Sequence, residues 1–378
     1  MPMTSLRSLI LAASLLALSG AVHAEDALRI AVVGPVTGSN TQYGDMVRQG
    51  VDTAIDRINA SGGVLGRPLR AVVYDDKCES KEGPVVANRV VNDGIGLVVG
   101  HVCSGPTIAA AGIYDAEGVL MVTPSATAPA VTQGKRYTSI FRTIGLDSQQ
   151  GPAAAHFIAD QVKPAKVAIL HDKQSYGFGI ASAVRKGLEE AGVTVALFEG
   201  LNAGDSDYSA VITRLKTAGV DFIYFGGYYP EMGLLLRQGA EQGLKARFMG
   251  PEGVGNQGIN QIAGNAVEGM LLTLPADATQ DTANADVVKA FRDKGRDPGG
   301  AFQFPAYAAV QAIAQGVKAV GSDDPSKVAA WLHGHAVNTV LGELSWSPQG
   351  DLNDFRFSVY VWHADGTKTL SPSIKNNP

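Results

Sequence analysis

Apolar runs of four to six residues alternate with longer amphipathic stretches along most of the chain. Leu28–Val33 is an apolar run of the kind a strand buried in a parallel sheet requires. Gly34-Pro35 and Thr37–Asn40 break it as a loop. Over Tyr43–Ala60, Met46, Val47, Val51, Ala54, Ile55 and Ile58 recur at helical spacing, and Ser61-Gly62-Gly63 supplies a helix stop. The alternation then repeats. Strand Leu69–Tyr74 precedes helix Gly83–Asn92, and strand Leu97–Gly100 precedes helix Thr107–Glu117 and strand Val119–Val122. Such βα repetition predicts a parallel sheet flanked by helices.

Thr143–Gln150 reads as a crossing point, after which a second series begins. Helix Gln149–Val162 is followed by strand Lys166–His171, helix Tyr176–Ala191 and strand Thr194–Phe198. Helix Tyr208–Ala218, strand Phe222–Phe225, helix Pro230–Gln242, strand Arg247–Met249 and strand Gly269–Thr273 continue it. Helices Asn284–Lys294 and Phe304–Val320 follow, then Val328–His333 and an antiparallel-looking ending, Gly342–Trp346 and Phe355–Trp362. A chain of 378 residues exceeds one ordinary core. The expected architecture is α/β, with two doubly wound parallel-sheet lobes joined by a multi-crossing hinge. The expected division puts 25–146 and 276–357 in the first lobe, and 147–275 and 358–378 in the second.

Composition narrows the class. With 45% hydrophobic and 18% charged residues the chain is globular rather than disordered. Its formal charge of −5, with scattered Lys and Arg, argues against nucleic acid as a partner. Residues 1–24 read as a signal peptide: Arg7, the apolar run Leu9–Leu18, and Val22-His23-Ala24 as a cleavage site. The apolar run is too short to span a bilayer. An exported, soluble protein starting at Glu25 is expected, without a lipid anchor, since no Cys stands at the end of the signal.

Export makes the two cysteines informative. Cys78 and Cys103 each follow a strand and can pair in an oxidising compartment. The alternative is a Cys103 nucleophile with His101 nearby.

Polar chemistry gathers after the strands. Ser104, Ser125 and Thr127 lie in turns where open α/β sheets bind ligands, and helix N-termini there suit a carboxylate. The same residues also serve as ordinary N-caps. Tyr43, Tyr176, Tyr228, Phe302 and Glu252 occupy comparable turns. Singly they read as loop-base aromatics and a solvated carboxylate; together they point to a cleft. Asp75-Asp76 reads either as an acid pair or as helix-capping residues. No dinucleotide fingerprint, phosphate loop, nucleophile elbow or metal-ligand motif occurs, so no cofactor and no metal is expected.

Several stretches carry a closer likeness: Ala31-Val-Val-Gly34, Gln42-Tyr-Gly-Asp45, Tyr74-Asp-Asp76 with Cys78, and Val91-Asn-Asp-Gly-Ile95. Thr143 with Gly145-Leu-Asp-Ser148, His171-Asp-Lys-Gln174, Gly226-Gly-Tyr228 with Pro230-Glu-Met-Gly233, and Phe248-Met-Gly-Pro-Glu-Gly-Val254 extend it. From about Glu25 to about Gly366 the chain resembles the periplasmic leucine/isoleucine/valine-binding proteins of bacterial ABC importers, which are type I periplasmic binding proteins. The resemblance implies that Ser104 and Thr127 bind the α-carboxylate of an amino acid. Glu252, Thr127 and the Ser125 carbonyl would hold its ammonium. Tyr43, Tyr176, Tyr228 and Phe302, with Val102 nearby, would wall the side chain. It further implies a Cys78–Cys103 disulfide, no enzymatic activity, a monomer, and an ABC permease as membrane partner. Tyr43, where the leucine-specific type has Trp, points to the broader leucine/isoleucine/valine class. Ser125 departs from the Ala frequent at its position. The rival readings are a sensory receptor of the same fold for an amide or another amino acid, and an exported enzyme using Asp75, Asp76 or Cys103.

Overall fold

The computed structural model describes residues 27–371, so the signal-peptide reading of 1–24 lies outside the described residues. Two sheets organise the chain. The first is built from β1 (Leu28–Gly34), α1 (Thr41–Ala60), β2 (Leu69–Asp75), α2 (Glu82–Asn92), β3 (Leu97–Gly100), α3 (Ser104–Ala116), β4 (Leu120–Thr123) and β5 (Ile140–Arg142). The second follows as α4 (Asp147–Phe157), β6 (Val167–His171), α5 (Ser175–Glu190), β7 (Val195–Gly200), α6 (Ser209–Thr217), β8 (Phe222–Gly226), α7 (Tyr229–Glu241), β9 (Arg247–Gly250), α8 (Gly258–Ala263) and β10 (Met270–Pro275). The chain then runs through α9 (Ala285–Asp293), α10 (Gln303–Val320), α11 (Pro325–Gly334), β11 (Val337–Thr339), β12 (Gly342–Leu344), β13 (Phe357–Trp362) and β14 (Lys368–Leu370).

The first sheet is parallel with order β2-β1-β3-β4-β5. Its alternation sorts side chains to two faces. Ile30, Val32, Val99 and Val122 pack in the core that contains α1 and α10. Ala31, Val33, Val98 and Met121 pack in the core that contains α2 and α3. Both faces are therefore covered, and the central strands are largely apolar.

The second sheet has order β14-β13-β10-β9-β8-β6-β7. It is parallel except at its C-terminal end, where β13 runs antiparallel to β10 and β14 antiparallel to β13. Gly342–Trp346 and Phe355–Trp362 do not pair with each other. The former lies in a hairpin with β11, and the latter joins the second sheet. Meanwhile α10 packs on α1 and α11 on β4, so this part of the chain returns to the first sheet. The fold is thus α/β with two wound lobes and three crossings between them, after β5, after β10 and after β12.

The crossings are tied together. Trp346 Nε1 donates to the Arg142 carbonyl at 2.7 Å, and Thr143 Oγ1 to the Pro305 carbonyl at 2.8 Å. Buried Arg142 pairs with Asp351 at 2.8 Å and donates to the Ala126 carbonyl and the Thr132 hydroxyl. That pairing lets β5 carry a charge where an apolar run would otherwise stand. Helix α3 begins at Ser104 rather than Thr107 because Pro106 falls in its first turn, where a missing N–H costs nothing.

Candidate functional site

The C-terminal ends of the parallel strands from both lobes face one another, and their turns bring the sequence-singled residues together. From the first lobe come Tyr43 on α1, Val102 and Ser104 after β3, Ser125 after β4, and Phe302 just before α10. From the second come Tyr176 after β6, Tyr228 after β8 and Glu252 after β9. All eight line one cavity, with Cys103 and Gly253. Its volume is about 10 Å³, room for about one water. Larger hollows exist, including one of about 300 Å³ beside Ala276, Tyr360 and Lys368. None of the candidate ligand residues lines it, so size alone points away from the converging chemistry.

Thr127 does not line the cavity; it stands just behind, fully buried. Its hydroxyl donates to Glu252 Oε1 at 3.3 Å, while its carbonyl accepts the Asp147 N–H at 2.9 Å. Ser104 Oγ accepts the Ala128 N–H at 3.3 Å. The Ser125 hydroxyl donates to the Val102 carbonyl at 2.8 Å, joining the turns after β3 and β4. That bond accounts for the hydroxyl and turns it into the first lobe instead of the cleft.

The aromatic wall is continuous. The ring of Tyr43 lies 5.5 Å from Tyr228 and 6.0 Å from Phe302, and Tyr176 lies 5.2 Å from Tyr228, centroid to centroid. Tyr43 also crosses between lobes. Its hydroxyl donates to the Gly253 carbonyl and accepts the Tyr229 N–H at 3.2 Å. Burial pushes the pKa values of Tyr43, Tyr176 and Tyr228 well above the usual phenol value, so these hydroxyls stay protonated and able to donate.

Glu252 is buried at the end of β9, with Gln150 donating to its Oε2 and Thr127 to its Oε1. Burial pushes its carboxyl up, and hydrogen bonds from Gln150, Tyr176 and Thr127 offset part of the shift. Three residues around it carry no signal of their own in the sequence. Gly253 presents backbone to the cavity, and a Cβ there would come within 2.7 Å of the Tyr176 ring and the Gly227 carbonyl. Gln150 also donates to Thr273 Oγ1 at 2.7 Å. Asp147, one helical turn before Gln150, is buried with neither carboxylate oxygen hydrogen-bonded. Asp147 and Gly253 lie within stretches that carry the family resemblance, but, unlike Glu252, neither has a role assigned by it.

Cys103 is bonded to Cys78, with 5.3 Å between Cα atoms, and the structure describes no free cysteine. The thiol-nucleophile alternative therefore has no thiol. His101 is engaged elsewhere, with Asp76 Oδ2 at 2.8 Å and the Tyr114 hydroxyl at 3.1 Å. Asp76 Oδ1 accepts the Cys78 N–H at 2.9 Å. Asp75 caps its own turn through Val36 N–H, Thr37 Oγ1 and Lys77 N–H. The two acids serve separate turns and do not form a reactive pair.

Residues 27–367 match the periplasmic binding protein family. The leucine-, isoleucine-, valine-, threonine- and alanine-binding protein of Pseudomonas aeruginosa is 56% identical over 92% of this chain and 92% of its own length. The Leu/Ile/Val-binding protein of Escherichia coli strain K12 is 49% identical over 94% of this chain and 95% of its own. Among solved structures, a leucine-binding protein from Thermotoga maritima superposes with a TM-score of 0.84 at 27% identity, covering 91% of this chain and 97% of that one. The chain belongs to the periplasmic binding protein family.

Proposed function

We propose that this periplasmic binding protein is a receptor for branched-chain amino acids, which it holds between its lobes and hands to an ABC permease. One observation carries the reading. Donor groups, a buried carboxylate and an aromatic wall converge on a single closed cavity at the strand ends of both lobes. A zwitterion needs donors at one end and an acceptor at the other; an aliphatic side chain needs a dry wall. Ser104 and Thr127 receive the carboxylate at the start of α3. Glu252, with Thr127 and the Ser125 carbonyl, receives the ammonium. Tyr43, Tyr176, Tyr228, Phe302 and Val102 enclose the side chain.

A cavity of about 10 Å³ is far too small for leucine, so the lobes must part for entry and close behind the ligand. The lobe division at 25–146 with 276–357, against 147–275 with 358–378, sets where that motion occurs. Closure makes contacts to both lobes at once and so favours the bound closed form. The family assignment supports a periplasmic location, a receptor without turnover, and a monomer that meets its permease in the closed form. The names of the relatives support the ligand class.

Calorimetry with all standard amino acids, on protein stripped of bound ligand, tests the reading. Leucine, isoleucine and valine bind with comparable affinity; threonine and alanine, named for the Pseudomonas aeruginosa relative, measure how strictly the wall selects. Binding confined to an amide or an acidic amino acid would overturn the ligand class. Consumption of a bound amino acid would overturn the receptor role.

A further inference from the structure

Behind the cleft two carboxyl groups are buried together where the proposed ligand brings one cation. Asp147 and Gln150 share a face of α4, and the Gln150 amide reaches Glu252. Thr127 touches both acids: its hydroxyl donates to Glu252 and its carbonyl accepts the Asp147 N–H. Asp147 is 1% exposed, and neither of its oxygens has a hydrogen-bond donor. The nearby cation is already committed. Arg142 pairs with Asp351 and spends its N–H groups on Thr132 and on main-chain carbonyls. The other titratable groups facing the two acids are the Tyr176, Tyr224 and Tyr228 phenols, all held neutral by burial.

Two ionised carboxylates cannot be buried side by side without a positive charge or a proton. We infer that Asp147 and Glu252 share one proton in the closed cleft, and that an incoming amino acid releases it when the ligand ammonium takes the proton's place. The exchange conserves charge: one proton leaves to solvent and one ammonium enters already protonated. Burial and the neighbouring Glu252 charge push Asp147 up against the opposing pull of the Thr127 hydroxyl and the Arg142 charge, and burial pushes Glu252 up against its hydrogen bonds, in keeping with the geometry. Binding is then linked to pH. Acid stabilises the closed cleft without ligand and weakens affinity; affinity rises as pH rises until the pair is ionised before binding.

The inference rests on the ligand class proposed above, and its test separates the two. Leucine is titrated calorimetrically from about pH 5 to about pH 8 in buffers of different ionisation enthalpy. Proton release approaching one per leucine, with affinity rising about tenfold per pH unit at the acidic end, is expected. Asp147→Asn flattens that profile and abolishes the release. Asp172→Asn, which removes the second-lobe acid whose pKa is raised to about 7, keeps both. Should Asp147→Asn fail to fold, infrared difference spectra of the wild-type protein replace it: a protonated-carboxyl band present without leucine disappears on its addition. Leucine binding with no proton exchange and no such band overturns the shared proton and leaves the receptor reading intact. Absence of leucine binding at every pH overturns the receptor reading, and the shared proton with it.

Discussion

The two lobes meet at one cavity but build their halves of it differently. On the first lobe the turns after β3 and β4 present short hydroxyls and main chain, braced from behind, with the Tyr43 and Phe302 rings beside them. The Cys78–Cys103 bond, Asp76 spanning Cys78 N–H and His101, and the Ser125 bond to Val102 all fix the turns after β3 and β4. On the second lobe the wall is long side chains, Tyr176, Tyr228 and Glu252, standing on tightly packed glycine turns. At Gly177 a Cβ would lie 2.2 Å from Asp172 Oδ1 and 2.5 Å from the Gly226 carbonyl. A preorganised surface loses little on binding, whereas long side chains supply contact area and charge only once they are ordered.

The strongest challenge to that contrast is Glu252→Ala. If the second lobe supplies the charge, truncation leaves an ammonium without its principal partner, and leucine affinity falls by about 3–5 kcal/mol, roughly a hundredfold to several thousandfold. Calorimetry that finds wild-type affinity would move the ammonium site away from Glu252.

The second lobe also carries a pH-dependent weakness at Asp172. Burial raises Asp172 from 3.8 to about 7, and the Glu231 charge adds to it, while the Gln174 N–H offsets part. The folded protein holds a proton there that the unfolded chain has already given up. Stability from this group is therefore full below about pH 4 and declines as pH rises to about 7, by roughly 4 kcal/mol in all. Melting curves of Asp172→Asn should lose that slope. A wild-type slope unchanged in the variant would assign the pH dependence elsewhere.

On the first lobe the corresponding lever is covalent. Cys78→Ser with Cys103→Ser removes the brace and costs about 3–4 kcal/mol. Denaturation followed by Trp346 fluorescence, which reports the crossing beside Phe141, should then show an earlier transition than the wild type, with the second-lobe signal unshifted. A joint shift would show that the lobes melt as one unit. The smallest effect is expected for Ser125→Ala. It deletes one bond between two first-lobe turns, costs about 1 kcal/mol of stability, and leaves leucine affinity within about tenfold. A larger affinity loss would put the hydroxyl on the ligand.

What the sequence made legible follows the same division. Strands β1, β3, β6 and β8 are apolar on both faces and stood out at once, as did α1, whose buried Tyr43, Val47, Val51 and Ala54 recur at helical spacing. Strand β5 was not legible. It has three residues, one of them Arg142, and its fitness for burial depends on Asp351, more than two hundred positions away. β14, with Lys368 at its start, was missed for the same kind of reason: its pairing with β13 is a tertiary fact. Among the cleft residues, aromatics and hydroxyls at strand ends could be listed by topology alone. Asp147 could not. An acid at the start of a helix reads as a favourable N-terminal charge, and only the packing of Thr127 and Glu252 around it removes its solvent.

The chain passes from one lobe to the other three times. A single tether would let two bodies swivel, twist and slide; three side by side, tied by Trp346 to Arg142 and Thr143 to Pro305, act as pins along the edge of a door. Such pins would favour opening and shutting over torsion. On the proposed receptor reading, the Tyr43 hydroxyl would return to the same Gly253 carbonyl at each closure, and capture would follow one coordinate instead of a search over many.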